Sequence, residues 1–384
     1  MRMLHTGDWH LGRIFHGRHL IEDQVYVLDQ FVRLVGDTKP DVVLLAGDVY
    51  DRSVPPTEAV KLLDEVLSRV IRDYRVQVVM IAGNHDSPER LEFAQRLLAS
   101  QGLHVTGVPG EGSGPLVLYD AYGPVYFCPI PYAEPPVVRE RMGTPEAVDH
   151  ELAMAVLLRR LTSSIPPGGR TVIVTHAFVA GGEQSESERP LSVGKAGTVS
   201  SSHFQPFQYT ALGHLHRPQE AGAEHIRYAG SLLKYSFSEA SHHKSVTLVE
   251  MDAAGRTSCE LIPLTPRRDV RCLTGYLQEI LAGTHQAGNR EDYLMVTLLD
   301  TGAILDAMGR LREVYPNTLH IERPYLAAAG DLRRPSGDHR RVDEKALFAS
   351  FYEQVTASAL SPEEEKVFGE IMEELWRQER EVGE

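Results

Sequence analysis

Five segments spread along the chain end in the same way, and that shared ending constrains the fold more than any other feature. They read Leu4-His5-Thr6-Gly7-Asp8-Trp9-His10, Leu44-Leu45-Ala46-Gly47-Asp48, Ile81-Ala82-Gly83-Asn84-His85-Asp86, Ile173-Val174-Thr175-His176 and Ala211-Leu212-Gly213-His214-Leu215-His216. Each is an apolar β-type run, a short turn, and then a side chain able to bind a metal. Strand ends are where a layered α/β sheet collects groups from distant parts of the chain into one cleft. Glycine ahead of Asp8, Asp48, Asn84 and His214 lets the backbone turn sharply and approach closely. The pattern predicts a layered α/β domain in which Asp8, His10, Asp48, Asn84, His176, His214 and His216 converge.

Residue type then points to the chemistry. Hard and borderline divalent cations prefer carboxylate, amide oxygen and imidazole ligands, and this set supplies those. A pair of such ions about 3.5–4 Å apart suits phosphoester hydrolysis. Asp is the natural bridge, because each carboxylate oxygen can serve a different ion, and Asp48, the sole ligand of its strand, is the expected bridge. Taken singly, an Asp after a strand is commonly a helix cap or turn residue, and a Gly-His-x-His pair is as often core or surface. Those ordinary explanations would have to hold independently at five strand ends. A two-metal phosphoesterase site is the simpler reading.

Composition permits this without demanding it. At 42% hydrophobic and 24% charged residues the chain is ordinary for a water-soluble protein. It has no run approaching the ~20 apolar residues of a membrane span. The opening residues lack the apolar core of a secretory leader. Cys128, Cys259 and Cys272 are few and widely spaced, which fits a reducing cytosol and a cytoplasmic location. The net charge of −14 argues against nucleic acid at first sight. It is unevenly placed, however: residues 343–384 hold twelve Asp/Glu against four Lys/Arg, a net −8, leaving −6 for the rest. Bound cations would offset the ligand carboxylates further.

Four regions are expected. Residues 1–265 alternate strand patterns (Arg2–His5, Val42–Ala46, Val76–Ala82, Val125–Ile130, Thr171–Thr175, Tyr209–Leu212) with amphipathic stretches at Thr57–Asp73 and Pro88–Gln101. Residues 266–329 read strand, helix, strand, helix, strand, a small α+β unit. Residues 330–342 are polar and linker-like. Residues 343–384 make two helices, the second opened by Ser361, Pro362 and Glu364 in a capping-box pattern. The aromatic-rich faces of these helices have to be buried against something.

The set Asp-x-His, Gly-Asp, Gly-Asn-His-Asp, His and Gly-His-x-His resembles the calcineurin-like metallophosphoesterase superfamily. More particular stretches are His5–Gly12, Gly47–Arg52, Phe178–Glu183 with Ser187–Leu191, Tyr228–Leu232 and Ser236–Glu239. They are similar to the bacterial nuclease subunits that work with an SbcC-type ATPase in double-strand-break processing. The resemblance implies two metals, typically Mn²⁺: Asp8, His10 and His216 on the first, Asn84, His176 and His214 on the second, with Asp48 shared. It implies that His85 is the catalytic histidine, assisting departure of the sugar oxygen, and that Asp86 could hydrogen-bond it and set its tautomer. The small unit would be a capping domain that helps orient duplex DNA, with Arg267 and Arg268 as candidate phosphate contacts. The tail would dock on the ATPase through Phe348, Phe351, Tyr352, Phe368, Leu375 and Trp376. Homodimerisation through Thr57–Asp73 and Pro88–Gln101 is implied as well. One departure stands out: archaeal and eukaryotic relatives close the Gly-Asp segment with histidine, where this chain has Asp51.

Three functions follow for comparison: a DNA nuclease, a small-molecule phosphomonoesterase or cyclic-nucleotide phosphodiesterase, and a non-catalytic scaffold. Retention of all seven ligands and His85 disfavours the scaffold. The accessory unit and aromatic tail favour the nuclease over a small phosphatase.

Overall fold

A computed structural model describes residues 1–110, 114–188, 191, 197–283, 288–302, 304–324, 348–349, 352 and 358–381, with side chains described as far as residue 372. The chain divides into two compact units, Met1–Val270 and Arg271–Glu384.

The first unit is built on two six-stranded sheets. In chain order its elements are β1 (Arg2–Thr6), α1 (Ile21–Thr38), β2 (Val42–Leu45), α2 (Thr57–Ser68), β3 (Gln77–Ile81), β4 (Leu103–Thr106), β5 (Leu116–Asp120), β6 (Gly123–Ile130), α3 (His150–Thr162), β7 (Arg170–His176), β8 (Tyr209–Gly213), β9 (Gln219–Glu220), β10 (Ile226–Tyr228), β11 (Ser245–Met251) and β12 (Thr257–Pro263). One sheet runs β12-β11-β1-β2-β3-β4 and the other β9-β10-β8-β7-β6-β5. Strands β1 to β4 are parallel to one another, as are β6, β7, β8 and β10.

Alternation along the strands explains the layering. Val172 and Val174 on β7 join Met3, Val42, Leu44, Val79 and Ile81 in the core between the sheets. Ile173, one residue out of phase, joins Leu157 and Leu161 of α3 on the outer face. Because both sheets are covered by helices, the inner strands are apolar on both faces and read as continuous runs. The layered α/β expectation therefore holds.

Several elements differ from the expectation in detail. The Thr57–Asp73 helix is α-helical to Ser68 and closes with a π turn, Arg69–Asp73. The Pro88–Gln101 stretch is two short helices, Pro88–Leu91 and Gln95–Ala99, broken where Ala94 takes a left-handed φ of 59°. Its Phe93 and Leu97 are consequently exposed. The 18-residue α1, absent from the sequence expectations, buries Val27, Leu28, Phe31 and Val35.

The second unit carries a three-stranded sheet in the order β13 (Val270–Gly275), β14 (Tyr293–Leu298), β15 (Thr318–Glu322), with helices α4 (Leu277–Leu281) and α5 (Ala307–Val314). Leu273, Leu277, Ile280, Leu294, Val296, Leu298, Leu311 and Tyr315 form its own core. The strand-helix-strand-helix-strand order is the expected one. Helix α6 (Pro362–Glu381) follows. At its start Ser361 N–H donates to Glu364 Oε2 (2.8 Å) while Glu364 N–H donates to Ser361 Oγ (3.3 Å), the reciprocal pattern read from the sequence. Among the described residues no helix is long and apolar enough to cross a membrane.

Candidate metal centre

All five ligand-bearing segments leave the C-terminal ends of parallel strands, β1, β2, β3, β7 and β8. Their loops are laced together: the Asp8 and His10 amides donate to the Gly47 and Asp48 carbonyls, each at 3.0 Å. The glycines have a steric cause. A Cβ at Gly83 would lie 2.2 Å from Asp48 Oδ1, and one at Gly213 would lie 1.8 Å from the Ala46 carbonyl oxygen. Asp8, His10, Asp48 and His214 all hold positive φ (52°, 45°, 48° and 111°). Such backbone costs on the order of 1–3 kcal/mol per residue and survives only where its surroundings over-determine it.

The seven expected ligands come together. Donor atoms of Asp8, His10 and His216 lie within 4.8 Å of one another, and so do those of Asp8, Asp48 and His176. Asp8 is common to both groups, and Asp48 Oδ2 of the second also lies 3.6 Å from His10 Nε2 of the first, as far as it lies from His176 Nε2. His176 Nε2 lies 2.9 Å from Asn84 Oδ1, and the His214 ring centre is 5.4 Å from that of His176. Asp8, His10, Asp48, His176, His214 and His216 are buried, while Asn84 and His85 are half-buried.

The donor set fits divalent cations on physical grounds. His176 Nδ1 donates to the Ala46 carbonyl (2.9 Å), so its Nε2 carries a lone pair and faces the Asn84 oxygen, acceptor against acceptor. His214 Nε2 and His10 Nδ1 are buried without a hydrogen-bond partner. Burial first, then neighbouring imidazoles, push His10 and His214 well below the ordinary histidine range. Burial also lowers His176, against the pull of Asp48. Burial, then the Asp48 charge, raises the Asp8 carboxyl well above the usual range. Neutral imidazoles whose lone pairs converge on crowded, desolvated carboxylates are what a cation relieves.

Residues around the ligands hold them in place. Gln24 on α1 donates to the His10 carbonyl (2.8 Å) and accepts from Gly12 N–H (3.0 Å). Tyr235 donates to the Trp9 carbonyl at 2.5 Å. His5, buried and pushed down to about 3 by desolvation, joins Tyr209 and the Leu212 carbonyl instead of the centre. Ser187, Glu188, Glu239 and Lys244 gather behind His216. The sequence pattern assigns these four residues no role, although three of them fall in the family-like stretches. No local signal marks them, because Glu239 and Lys244 stand in a polar stretch with Ser236, Ser238, Ser241, His242 and His243.

The expected link between Asp86 and His85 is not formed. Asp86 accepts from the backbone N–H of Val49 (3.1 Å), Tyr50 (2.9 Å) and Gly83 (2.9 Å), tying the β2 and β3 loops together. Its carboxyl is pushed up to about 7 by burial and by Asp48. His85 Nδ1 instead donates to the Asp51 carbonyl at 2.8 Å, and the His85 ring lies edge-on to His10 at 4.7 Å. The side chain of Asp51 receives Arg13 at 2.8 Å.

The remaining candidates lie away from the ligands. Arg267 pairs with Glu22 (2.9 Å) and Arg268 with Asp23 (2.9 Å), both at the start of α1. In the tail, the Phe348 and Phe368 rings stack with centroids 3.8 Å apart and planes 3° off parallel, and Tyr352 lies 6.2 Å from Phe348. Phe351 and the linker at 330–342 lie outside the described residues, as do the side chains of Leu375 and Trp376.

Residues 1–218 match the family model described as calcineurin-like phosphoesterase. Residues 266–356 match one described as type 5 capsule protein repressor C-terminal domain. The chain is 31% identical over 98% of its length to a Staphylococcus saprophyticus protein named as the SbcD subunit of the nuclease SbcCD, covering 98% of that protein. It is 30% identical over 94% of its length to a protein of the same name from Staphylococcus epidermidis, covering 95% of it.

Proposed function

The chain belongs to the calcineurin-like phosphoesterase family and, within it, to the SbcD group of SbcCD nuclease subunits, and on that premise we propose that it is the Mn²⁺-dependent nuclease component of a DNA-break-processing complex. The observation that carries this reading is the position of Asp48 Oδ2, 3.6 Å from a histidine of each ligand group. Asp8, His10 and His216 would hold one cation, Asn84, His176 and His214 the other, with Asp48 shared. Two divalent cations there would polarise a phosphate oxygen and acidify a water, the chemistry that phosphodiester hydrolysis needs.

The chain's own residues supply the rest. His85, fixed through Nδ1 to the Asp51 carbonyl, has Nε2 left for the substrate. With Nδ1 keeping its proton on that carbonyl, the imidazolium form of His85 would deliver its second proton from Nε2 to the departing sugar oxygen, leaving a neutral ring with a lone pair on Nε2. Burial of the ligands keeps bulk water from competing with the phosphate.

Duplex ends would be degraded exonucleolytically, and single strands or hairpins cut endonucleolytically. Residues 266–329 would orient duplex, and the tail aromatics would dock on an SbcC-type ATPase. The exposed Phe93 and Leu97 support self-association through the Pro88–Gln101 stretch, and Thr57–Asp73 is the second segment assigned the same role. Arg267 and Arg268, already paired with Glu22 and Asp23, are weak candidates for phosphate contact. The test is Mn²⁺-dependent degradation of end-labelled duplex, run beside hydrolysis of a chromogenic phosphate ester. Rapid ester turnover with intact DNA would favour a small-molecule phosphoesterase and defeat the nuclease reading.

A further inference from the structure

Glu239 ends the short 3-10 turn Phe237–Glu239 and is fully buried. Its Oε2 takes the ammonium of Lys244 at 2.5 Å. Its Oε1 accepts from the Ser187 hydroxyl (2.5 Å) and the Tyr235 amide (3.2 Å), and lies 3.3 Å from His216 Nδ1. Lys244, also buried, directs its other contacts to the His216 carbonyl (2.7 Å) and Ser231 Oγ (2.9 Å). Glu188 Oε1 receives the His216 amide at 2.8 Å. His216 is thus gripped at its N–H, its carbonyl and its ring.

Donor logic fixes the ring. Lysine only donates and an ionised carboxylate only accepts, so the Ser187 hydroxyl points its proton at Glu239. Ser187 Oγ, 2.7 Å from His216 Nδ1, is then left to accept, and Nδ1 carries the ring proton. Nε2 keeps its lone pair, 3.0 Å from His10 Nε2 and grouped with Asp8. His176 gets the same orientation from a backbone carbonyl. Only the His216 side of the centre, among the described residues, uses a buried ion pair for it.

Stability does not account for that pair. Replacing a buried ion pair with apolar residues is often neutral or stabilising. Here nearly every polar atom of the pair reaches His216 or a group touching it. We propose that Glu239, acting through Ser187 with Lys244 as counter-ion, is a positioning residue that makes His216 Nε2 a ligand of one of the two cations. This rests on the two-cation reading above.

The test uses the full chain. Mn²⁺ binding is measured by calorimetry for wild type, Glu239→Gln/Lys244→Met, Ser187→Ala and Ser187→Thr, alongside thermal melting of the metal-free proteins. The double variant removes both charges together, so neither is left buried alone. One ion should bind about 10–100-fold more weakly in the double variant and more weakly in Ser187→Ala, with the other ion unchanged. Ser187→Thr, which keeps the hydroxyl, should restore it. A merely structural pair would shift melting without a selective loss of one ion. If the double variant does not fold, Ser187→Ala decides. Wild-type binding of both ions in the folded variants overturns this inference alone. A wild type that takes up no pair of divalent ions overturns it together with the two-cation reading.

Discussion

His85 Nδ1 lies 2.8 Å from the backbone carbonyl of Asp51, and because a carbonyl only accepts, that nitrogen carries a proton and only Nε2 is left to exchange one with substrate. The His85 amide donates to Asp48 Oδ1 at 2.9 Å, which anchors the residue through its backbone, while its ring lies near enough to His10 and Asp51 that a metal-ligand role has to be tested against the proposed proton-transfer one. In the proton-transfer role, His85→Ala should leave about two metal ions per chain and lower cleavage by roughly 10²–10⁴-fold, the usual range for such a group. Elemental analysis beside a nuclease assay checks both halves. Loss of metal in the variant would make His85 a ligand.

Asp86 should behave in the opposite way. Its carboxylate is the acceptor for three backbone N–H groups, two of them on the Asp48 loop. A buried donor left unsatisfied costs about 1–3 kcal/mol. Asp86→Ala should lower thermal stability measurably and release metal, because the loops carrying Asp48 and Asn84 lose their common anchor. Full stability and metal content with only a changed pH profile would instead restore a role acting on His85.

Gly83→Ala tests the steric basis of the glycine pattern. The added methyl would sit 2.2 Å from Asp48 Oδ1 and 2.3 Å from the Asp48 amide nitrogen, neither of which can withdraw without moving Asp48 itself. Metal affinity should fall by at least the 10–100-fold typical of losing a supporting contact. Gly114→Ala, at a glycine that like Gly83 has no positive φ and where the added carbon meets only Ser164 Oγ at 3.9 Å, serves as the control. Equal metal affinity in the two variants would refute the crowding account.

The convergence of the seven side chains was legible because strand, turn and polar side chain are contiguous in sequence at each of the five sites, so local pattern carried the information. The core strands were legible for the same reason. What was not legible lies in contacts between distant segments. Asp86 and His85 are neighbours in the chain, yet Asp86 turns toward Val49 and Tyr50, and His85 finds a carbonyl 34 residues earlier. Ser187, Glu239 and Lys244 meet His216 only after folding. Helix α1 has a regular apolar face, but its Asp23 and Gln24 are buried polar residues that blur the pattern. Ala94 breaks the Pro88–Gln101 stretch through a left-handed φ that alanine composition does not signal.

Asp120 and Arg170 give a stability prediction with a definite pH window. They form a two-pronged ion pair (2.7 and 2.8 Å) with both side chains under a tenth exposed, and the Met1 amino group lies 2.9 Å from the same carboxylate. Arg170, foremost, holds the Asp120 carboxyl below the usual carboxylate range. The contribution is therefore complete above the unfolded value of about 4 and is lost as pH falls below it through the folded value. Arg170→Met should destabilise by about 3–5 kcal/mol at neutral pH, since it leaves a buried carboxylate short of its main partner. Denaturant titrations should show that gap narrowing below about pH 4. A gap that is constant down to acid pH would mean the arginine acts through packing alone.

The tail yields the last prediction. Phe348 and Phe368 stack face to face, and the Ser361–Glu364 box fixes where α6 begins, so the aromatic pair is held in a defined place. Val367 and Ile371 on the same helix are more than half exposed. An exposed apolar stripe beside a fixed aromatic stack is the arrangement expected of an interface anchor. Deleting residues 342–384 should leave a soluble protein that still binds two metal ions and degrades labelled DNA, because none of the seven expected ligands lies there. The same deletion should abolish co-purification with an SbcC-type ATPase, and Phe368→Ala should weaken it by 2 kcal/mol or more, about 30-fold in Kd, as for a central aromatic anchor. Undiminished co-purification of the deleted protein would place the ATPase contact elsewhere on the chain. Loss of nuclease activity from the isolated truncated protein would show that the tail supports the centre itself.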